Sequence, residues 1–187
     1  SALDREFEVV ERGDRVGVRN HVLVLPSVIC SKFVAERIAD GVAEARAAPH
    51  DHGCAQIGAD GQQTRRAFLG VSANPNVAGA VVVGLGCESI GSAGVAAELD
   101  SMGVPVRELS IQGVGGTDEC VEAGVAAAEE LADDARGTGR RSAGLGDLTL
   151  GIVASDAADS SVGTVDPLCG ELARAVERHA PERVVVT

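Results

Sequence analysis

The segment at residues 50–54 concentrates the side chains in this chain that could perform chemistry. It reads HDHGC, so it supplies imidazole, carboxylate and thiol groups within five residues, and Gln56 and Asp60 follow closely. Thiolate and imidazole ligands suit zinc and iron, whereas oxygen ligands suit magnesium. The segment therefore fits a transition-metal or catalytic loop centred on His50 and Cys54. A structural turn that carries a buried thiol is the alternative.

Two further cysteines occupy related places along the chain. Cys30 follows the first predicted strand, and Cys87 follows a later apolar segment. Ligands of an open parallel sheet bind beyond the carboxyl ends of its strands, so we expect Cys30 and Cys87 to reach the same rim. The five cysteines include no CxxC pair, and no export signal is evident, which argues against a disulfide framework. For each cysteine alone, a buried and unreactive thiol is the alternative.

Two other segments have an open interpretation. Residues 84–91 read GLGCESIG and place glycines between a strand and a helix, as dinucleotide-binding sites do. Ser89 stands where that fingerprint needs its third glycine, so nicotinamide or flavin binding is the weaker interpretation. The glycines indicate close approach of the backbone to a ligand or to a neighbouring helix. Arg19, just before the first strand, could clamp a carboxylate with paired hydrogen bonds, or could simply be solvated.

The elements that must position these residues alternate between strand and helix. Hydrophobic patterns predict strands at 21–28, 79–85 and 104–111, and helices at 31–47, 62–72, 93–102 and 118–135. Repeated strand and helix units are typical of a parallel sheet covered on both faces. We therefore predict an α/β fold, a three-layer Rossmann-like arrangement with a mostly parallel sheet and helices on both faces, followed by the start of a second α/β unit.

A glycine-rich segment without hydrophobic periodicity divides the chain. We predict an α/β domain at 1–136 that carries the cysteine and histidine motifs, and a linker at 137–147. Residues 148–187 then form the start of a second α/β unit, or an extension packed on the first, with a strand at 148–154, a helix at 167–178 and a strand at 183–187.

The composition excludes several classes of partner. Among 187 residues, 28 acidic side chains face 16 basic ones, and a net charge of -12 opposes binding to nucleic acid or anionic membranes. No segment approaches the roughly 20 apolar residues that cross a bilayer, and the first residues are charged, so we expect a cytoplasmic protein. The acidic surface fits either ordinary solubility or adaptation to a cytoplasm of high salt.

The same motifs resemble those of a known family. Residues 15–20 (RVGVRN) and 25–30 (LPSVIC), the pattern from His50 through Gly53, Cys54, Gln56, Gly58 and Asp60 to Thr64, and residues 75–88 (PNVAGAVVVGLGCE) follow one another in order. Together they are similar to the catalytic region of the altronate and galactarate dehydratase family. The similarity continues more faintly through Gln112 and residues 115–117.

The resemblance implies a lyase that dehydrates hexonate or hexarate sugar acids to 2-keto-3-deoxy acids with a divalent metal. A related branch eliminates sulfite from sulfolactate. Transferred to this sequence, it makes His50 a base or metal ligand, Cys30, Cys54 and Cys87 metal ligands, and Arg19 the carboxylate clamp, with Gln56 and Asp60 as further catalytic candidates. Fe²⁺ is the expected metal, with Mn²⁺ or Zn²⁺ as substitutes. An iron-sulfur cluster with one open iron is the second cofactor candidate.

The sequence departs from the family pattern at three points. The family pairs this region with a small antifreeze-like domain, fused or separate, and continues well beyond position 187. Ala154 stands where a later cysteine of the family is expected. We therefore expect a truncated catalytic chain that needs a small partner subunit and forms a homo-oligomer. A non-catalytic relative that binds a sugar acid or serves as a scaffold subunit is the alternative.

Overall fold

A computed structural model describes residues 5–152, 161–178 and 184–186. The strands are β1 (Phe7–Arg12), β2 (Arg15–Gly17), β3 (His21–Pro26), β4 (Ala45–Ala47), β5 (Val77–Gly84), β6 (Val106–Ser110), β7 (Arg141–Ala143), β8 (Leu150–Ile152) and β9 (Val184–Val186). The helices are α1 (Lys32–Gly41), α2 (Gly58–Ser72), α3 (Ser92–Ser101), α4 (Ile111–Val114), α5 (Thr117–Arg136) and α6 (Asp166–Glu177), with 3-10 turns at Ile29–Ser31 and Leu145–Asp147 and a π-helical turn at Ser161–Val165.

The chain divides into two units, one at Arg19–Thr138 and one that draws on residues 1–18 and 139–187. The larger unit is built on a parallel sheet with the strand order β4-β3-β5-β6. From β3 the chain continues to β4 on one side, and later returns to β5 on the other side of β3. The loops that follow β3 and β5 therefore leave in opposite directions and open a crevice, which is the usual ligand site of such sheets.

Alternate residues of the two central strands fill two separate cores. Val22, Val24, Val81 and Val83 pack with α1 and α5 on one face, in a cluster that includes Ile38. Their neighbours in the sequence pack with α2 and α3 on the other face, in a cluster of Leu23, Leu25, Ala80, Val82, Phe68, Val95 and Leu99. Because successive side chains of a strand point to opposite faces, both faces need apolar residues, which explains the continuous apolar run of β5. The predicted three-layer α/β fold is confirmed.

One predicted helix was too long. The helical pattern at 31–47 ends at Gly41, and the chain then extends into β4, where Ala45 pairs with Val22 of β3. The residues from Val42 onward keep enough alanine and apolar character to continue a helical pattern. Their tertiary pairing with β3 overrides that local preference.

The smaller unit contains strands that hydrophobic patterning did not detect. Strand β1 pairs antiparallel with β2 and with β7, which gives a three-stranded sheet of order β2-β1-β7. Farther along, β8 pairs in parallel with β9, and α6 lies between them in the chain. The segment predicted as a linker at 137–147 holds β7 and a 3-10 turn, and the predicted domain boundaries stay a prediction. Residues 153 and 154 of the predicted strand at 148–154, including Ala154, lie outside the described residues.

Within the described residues, none of the helices combines the length and apolar character that a bilayer crossing requires.

Glycine allows close contact between α1 and α5 at position 124. Gly124 is buried in α5, and a methyl group there would overlap with the side chain of Ile38, which is itself fully buried. A methyl group at Gly94 on α3 would instead meet no atom closer than 3.8 Å. The two helical glycines therefore offer a matched pair of sites for the same substitution.

We expect Gly124→Ala and Gly94→Ala to change stability in opposite directions. Alanine stabilises a helix by about 1 kcal/mol relative to glycine. Gly94→Ala should therefore gain most of this free energy. At Gly124 the overlap with Ile38 should cost about 1–3 kcal/mol and leave a net loss. Urea unfolding of both variants checks the signs, and Ile38→Val should restore part of the loss in Gly124→Ala. Equal gains at both positions would contradict the described packing of α1 on α5.

Candidate active site

The loop at residues 50–54 is fastened to the carboxyl end of β3. Nε2 of His50 lies 2.6 Å from the carbonyl oxygen of Pro26, and the amide of Ile29 donates to the carbonyl oxygen of His52 at 2.8 Å. Gly53 has a φ of 94°, and a methyl group there would overlap with the backbone of Ser27. Only glycine accommodates both constraints. The segments that carry Cys30 and Cys54 consequently lie side by side.

Hydrogen bonds occupy both ring nitrogens of His50. A carbonyl oxygen only accepts, so Nε2 carries the proton that it donates to Pro26. Nδ1 accepts from the amide of His52 at 3.1 Å. This arrangement defines a neutral imidazole with no ring nitrogen left over. In this conformation His50 fastens the loop, and it could act as a base or a metal ligand only after one of these bonds opens.

The loop after β5 folds around the carboxylate of Glu88. That carboxylate accepts hydrogen bonds from the Ser27 hydroxyl at 2.9 Å and from the amides of Gly86 at 2.7 Å, Leu85 at 3.2 Å and Ser92 at 3.4 Å. Burial alone would raise the pKa of Glu88, but the hydrogen bonds from backbone amides and from Ser27 outweigh it and lower the pKa below its usual value. Glu88 is therefore an ionised group that joins the loops after β3 and β5.

The glycines of this loop approach the protein's own side chains. A methyl group on Gly84 would overlap with Glu88 and Ser92, and one on Gly86 would lie 2.7 Å from the side-chain oxygen of Gln112. Gly86 also has a φ of 117°, which favours glycine. Of the two explanations that the sequence left open, close approach to neighbouring groups accounts for both glycines.

The three candidate thiol ligands are exposed. Cys30, Cys54 and Cys87 lie in segments that meet at the carboxyl edge of the sheet, whereas Cys120 is buried and Cys169 is half-buried. The alternative of a buried, unreactive thiol therefore does not hold for these three. However, the described residues contain no group of three or more His, Cys, Asp or Glu side chains that could hold a metal ion. The fold brings the segments together without assembling a complete metal site from this part of the chain.

A cavity of about 700 Å³ lies beside the fastened loop. His50, Gln56 and Asp60 all line it, so three of the predicted catalytic residues share one wall. Gln56 also accepts from the amide of Gly53 at 3.0 Å and shapes the loop from within. The remaining lining is mixed, with His52, Gln63 and Thr64 beside the apolar Leu25, Ala48, Ala67, Phe68 and Val71. The cavity thus combines an apolar floor with convergent polar groups, as ligand sites commonly do.

A smaller cavity of about 260 Å³ lies at the carboxyl ends of β5 and β6. It is lined by Glu88 and Glu108, with the Ser92 hydroxyl donating to Glu108 at 2.5 Å. Its two carboxylates make it a poor match for an anionic ligand.

Arg19 is not part of either cavity. It lies two residues before β3, and its amide donates to the side chain of Asn76, which directly precedes β5. Both positions are at the amino ends of parallel strands. A six-residue strand spans about 16–20 Å, so the structure does not bring Arg19 together with His50 or the three thiols.

Three further side chains at this edge had no role suggested by the sequence, namely those of Lys32, His52 and Glu88. Lys32 begins α1, and its ammonium lies 3.0 Å from Asp51. The hydrogen bond and the charge of Asp51 raise the pKa of Lys32, and the same contact lowers the pKa of Asp51. Lys32 had one signal in the sequence, since it is the only lysine of the chain. The order HDHGC alone could not tell which histidine ring would be fastened and which would stay open.

Comparison with known proteins gives a consistent result. The family described as D-galactarate dehydratase/Altronate hydrolase, second domain, matches residues 10–136. The altronate dehydratase of Bacillus subtilis (strain 168) is 33% identical over 171 residues, which cover 86% of this chain and 34% of that protein. The altronate dehydratase of Escherichia coli (strain K12) is 30% identical over 182 residues, which cover 90% of this chain and 36% of that protein.

A third relative carries a different name. The (2R)-sulfolactate sulfo-lyase subunit beta of Chromohalobacter salexigens is 44% identical over 71 residues, which cover 38% of this chain and 18% of that protein. The chain thus spans about a third of the two altronate dehydratases. No solved structure matches it significantly.

The exposure of the thiols predicts their reactivity. We expect iodoacetamide to modify Cys30, Cys54 and Cys87 in the folded protein and to leave Cys120 unmodified. Burial excludes the reagent from Cys120 and raises the pKa of its thiol, with a smaller contribution from Glu108. Peptide mass spectrometry measures the modification at each site, and labelling in urea should reach all four. Modification of Cys120 as fast as Cys87 under native conditions would refute the placement.

Replacement of Glu88 should cost stability in a pH-dependent manner. Its pKa is lowered in the folded state, so it contributes stability above the unfolded pKa of about 4.3, and this is lost as the pH falls through the folded value. We expect Glu88→Gln to lose about 1–2 kcal/mol near neutral pH and to approach the wild type in acid. Urea unfolding across a pH series measures this. Glu122→Gln, an exposed substitution on α5, is the control. A loss of stability in Glu88→Gln that does not depend on pH would contradict the ionised state of Glu88.

Proposed function

The chain belongs to the D-galactarate dehydratase/altronate hydrolase family, and we propose that it forms part of an enzyme that removes water from a sugar acid. The product would be a 2-keto-3-deoxy acid. The observation that carries this proposal is that the matched residues, 10–136, include every segment that lines the cavity beside the 50–54 loop. The two altronate dehydratases support the same reaction class.

We assign proton abstraction to His52. In the elimination, a base removes the proton next to the substrate carboxylate, the 3-hydroxyl takes up a proton and leaves as water, and the resulting enol becomes the 2-keto acid. Imidazole is the most common base in enzymes. The ring of His52 lines the cavity, is exposed, and makes no hydrogen bond with the described residues. By contrast, both ring nitrogens of His50 are already hydrogen-bonded. The His50 ring stacks beside it, with ring centroids 6.2 Å apart, and so supports its orientation.

Gln56 and Asp60 supply polar contacts for the substrate. The side-chain oxygen of Gln56 is held by the amide of Gly53, which leaves its NH₂ group as a donor toward the cavity. Asp60 lies in the first turn of α2 and is exposed, so its carboxylate can accept hydrogen bonds from sugar hydroxyls. This pairing of a donor and an acceptor suits a polyhydroxylated acid.

The expected divalent metal remains a prediction. The described residues do not gather three ligands, so an ion held by Cys30, Cys54 or Cys87 would need further ligands from elsewhere in the protein or its partner. We therefore assign no step to it. A partner polypeptide is part of the proposal, because the sulfo-lyase relative is named as a subunit beta.

The proposal predicts dehydration by the full-length gene product. We expect a 2-keto acid from at least one member of a panel of hexonates and hexarates, with and without added Fe²⁺. His52→Asn should lower kcat by about 100-fold or more while the melting temperature is kept. His50→Asn should lower the melting temperature, because it breaks the fastening of the loop to Pro26 and His52.

Three outcomes would count against this proposal or a part of it. If no member of the panel gives product under either condition, the lyase assignment fails. If a sugar acid binds but is never dehydrated, the non-catalytic alternative replaces it. Unchanged kcat in His52→Asn would remove the assigned base.

A further inference from the structure

The four described segments that follow the parallel strands carry a single formal cation. The segments that follow β3, β4, β5 and β6 are residues 27–33, 48–60, 85–92 and 111–117. Among all their side chains, Lys32 is the only lysine or arginine. Asp51, Asp60 and Glu88 lie in the same segments. An anionic ligand at this edge would therefore meet several carboxylates and one ammonium.

Four arginines of the larger unit lie outside these segments or are bound to other groups. Arg19 precedes β3, and Arg46 in β4 donates to the backbone of Ala43 and Ala45. Arg65, in the middle of α2, is paired with Glu98 on α3 at 2.6 Å. Arg136, the last residue of α5, is paired with Glu44 at 2.9 Å.

Lys32 retains capacity for a ligand. Its ammonium has three hydrogen-bond donors, of which one goes to Asp51 among the described residues. The Lys32 side chain is 35% exposed and that of Asp51 is 73% exposed, so solvent, and hence a ligand, reaches the pair. Asp51 stands between His50 and His52, which line the cavity of about 700 Å³. The ion pair thus places a positive charge beside the loop to which the reaction is assigned.

We propose that Lys32 binds the substrate carboxylate of the sugar acid, the role that the sequence had suggested for Arg19. This inference rests on the proposed function. A lysine suits the task because its compact ammonium can keep Asp51 and rotate a second donor toward a carboxylate. Attraction between opposite charges supplies the selectivity, since a neutral polyol of the same shape would lack the ionic attraction to Lys32.

A purely structural role for the ion pair makes a different prediction. Exposed salt bridges contribute little to stability, but this one could still hold the 50–54 loop in place. In that case, removing either partner would have the same effect. If Lys32 binds the ligand, removing the cation must weaken substrate binding more than removing Asp51 does.

The test compares four variants of the full-length gene product. Lys32→Gln should raise KM for the sugar acid by about 10- to 100-fold, the loss expected for one charge-assisted hydrogen bond, and change kcat far less. Lys32→Arg should recover part of the loss because it keeps the charge. Asp51→Asn should affect KM much less than Lys32→Gln. The control is Arg66→Gln, which removes an exposed cation from α2.

The results separate this inference from the proposed function. If the wild type dehydrates a sugar acid and Lys32→Gln keeps its KM, or Asp51→Asn raises KM equally, the inference is wrong. If the wild type dehydrates no sugar acid, the proposed function fails. Galactarate binding, measured by NMR, then tests the role of Lys32. Reductive ¹³C-methylation labels lysine side chains, and the NMR signal that is absent from methylated Lys32→Gln is that of Lys32. That signal should shift with galactarate and stay fixed with galactitol, and no shift at saturating galactarate overturns the inference.

Discussion

The carboxylate of Glu88 is the interaction on which the arrangement of the site depends. A charge that is partly removed from water must be paired with donors, and here the donors come from two different loops. Ser27 belongs to the turn after β3, whereas Gly86 belongs to the turn after β5 and Ser92 is the first residue of α3. One ionised group thereby sets the spacing across the crevice of the sheet. The loop at 50–54 is in turn fastened to the β3 side through Pro26 and Ile29, so its position follows from the same constraint.

Much of the fold could be predicted from the sequence because the central strands are apolar on both faces. The pattern predicted a strand at 79–85, and β5 occupies Val77–Gly84. It failed where tertiary pairing, and not periodicity, selects the structure. Strands β1, β2 and β7 are short or carry charged residues, as in the sequence FEVVER of β1, and they exist because they pair with one another. The residues of β4 were predicted as helix because their local pattern is helical, and only pairing with β3 makes them a strand.

The site was predictable at the level of segments. Cys30 and Cys87 follow parallel strands, and that alone placed both at one edge of the sheet. Position along a strand also held the information that separates Arg19 from this edge, since a residue just before a parallel strand lies at its amino end. Hydrogen bonding was not accessible in the same way. Nothing in the order of residues 50–54 specifies that Pro26 and the amide of His52 would occupy the ring of His50.

The outer strands of the parallel sheet have a consequence for association between molecules. A long, flat edge strand offers unpaired backbone groups that recruit strands from other chains and lead to aggregation. Strand β4 is only three residues long, which leaves little backbone for such pairing. At the opposite edge, β6 carries the exposed charges of Arg107 and Glu108. A sheet whose interior strands are as apolar as HVLVLP and VAGAVVVG is thus bordered by strands that discourage its growth into fibrils.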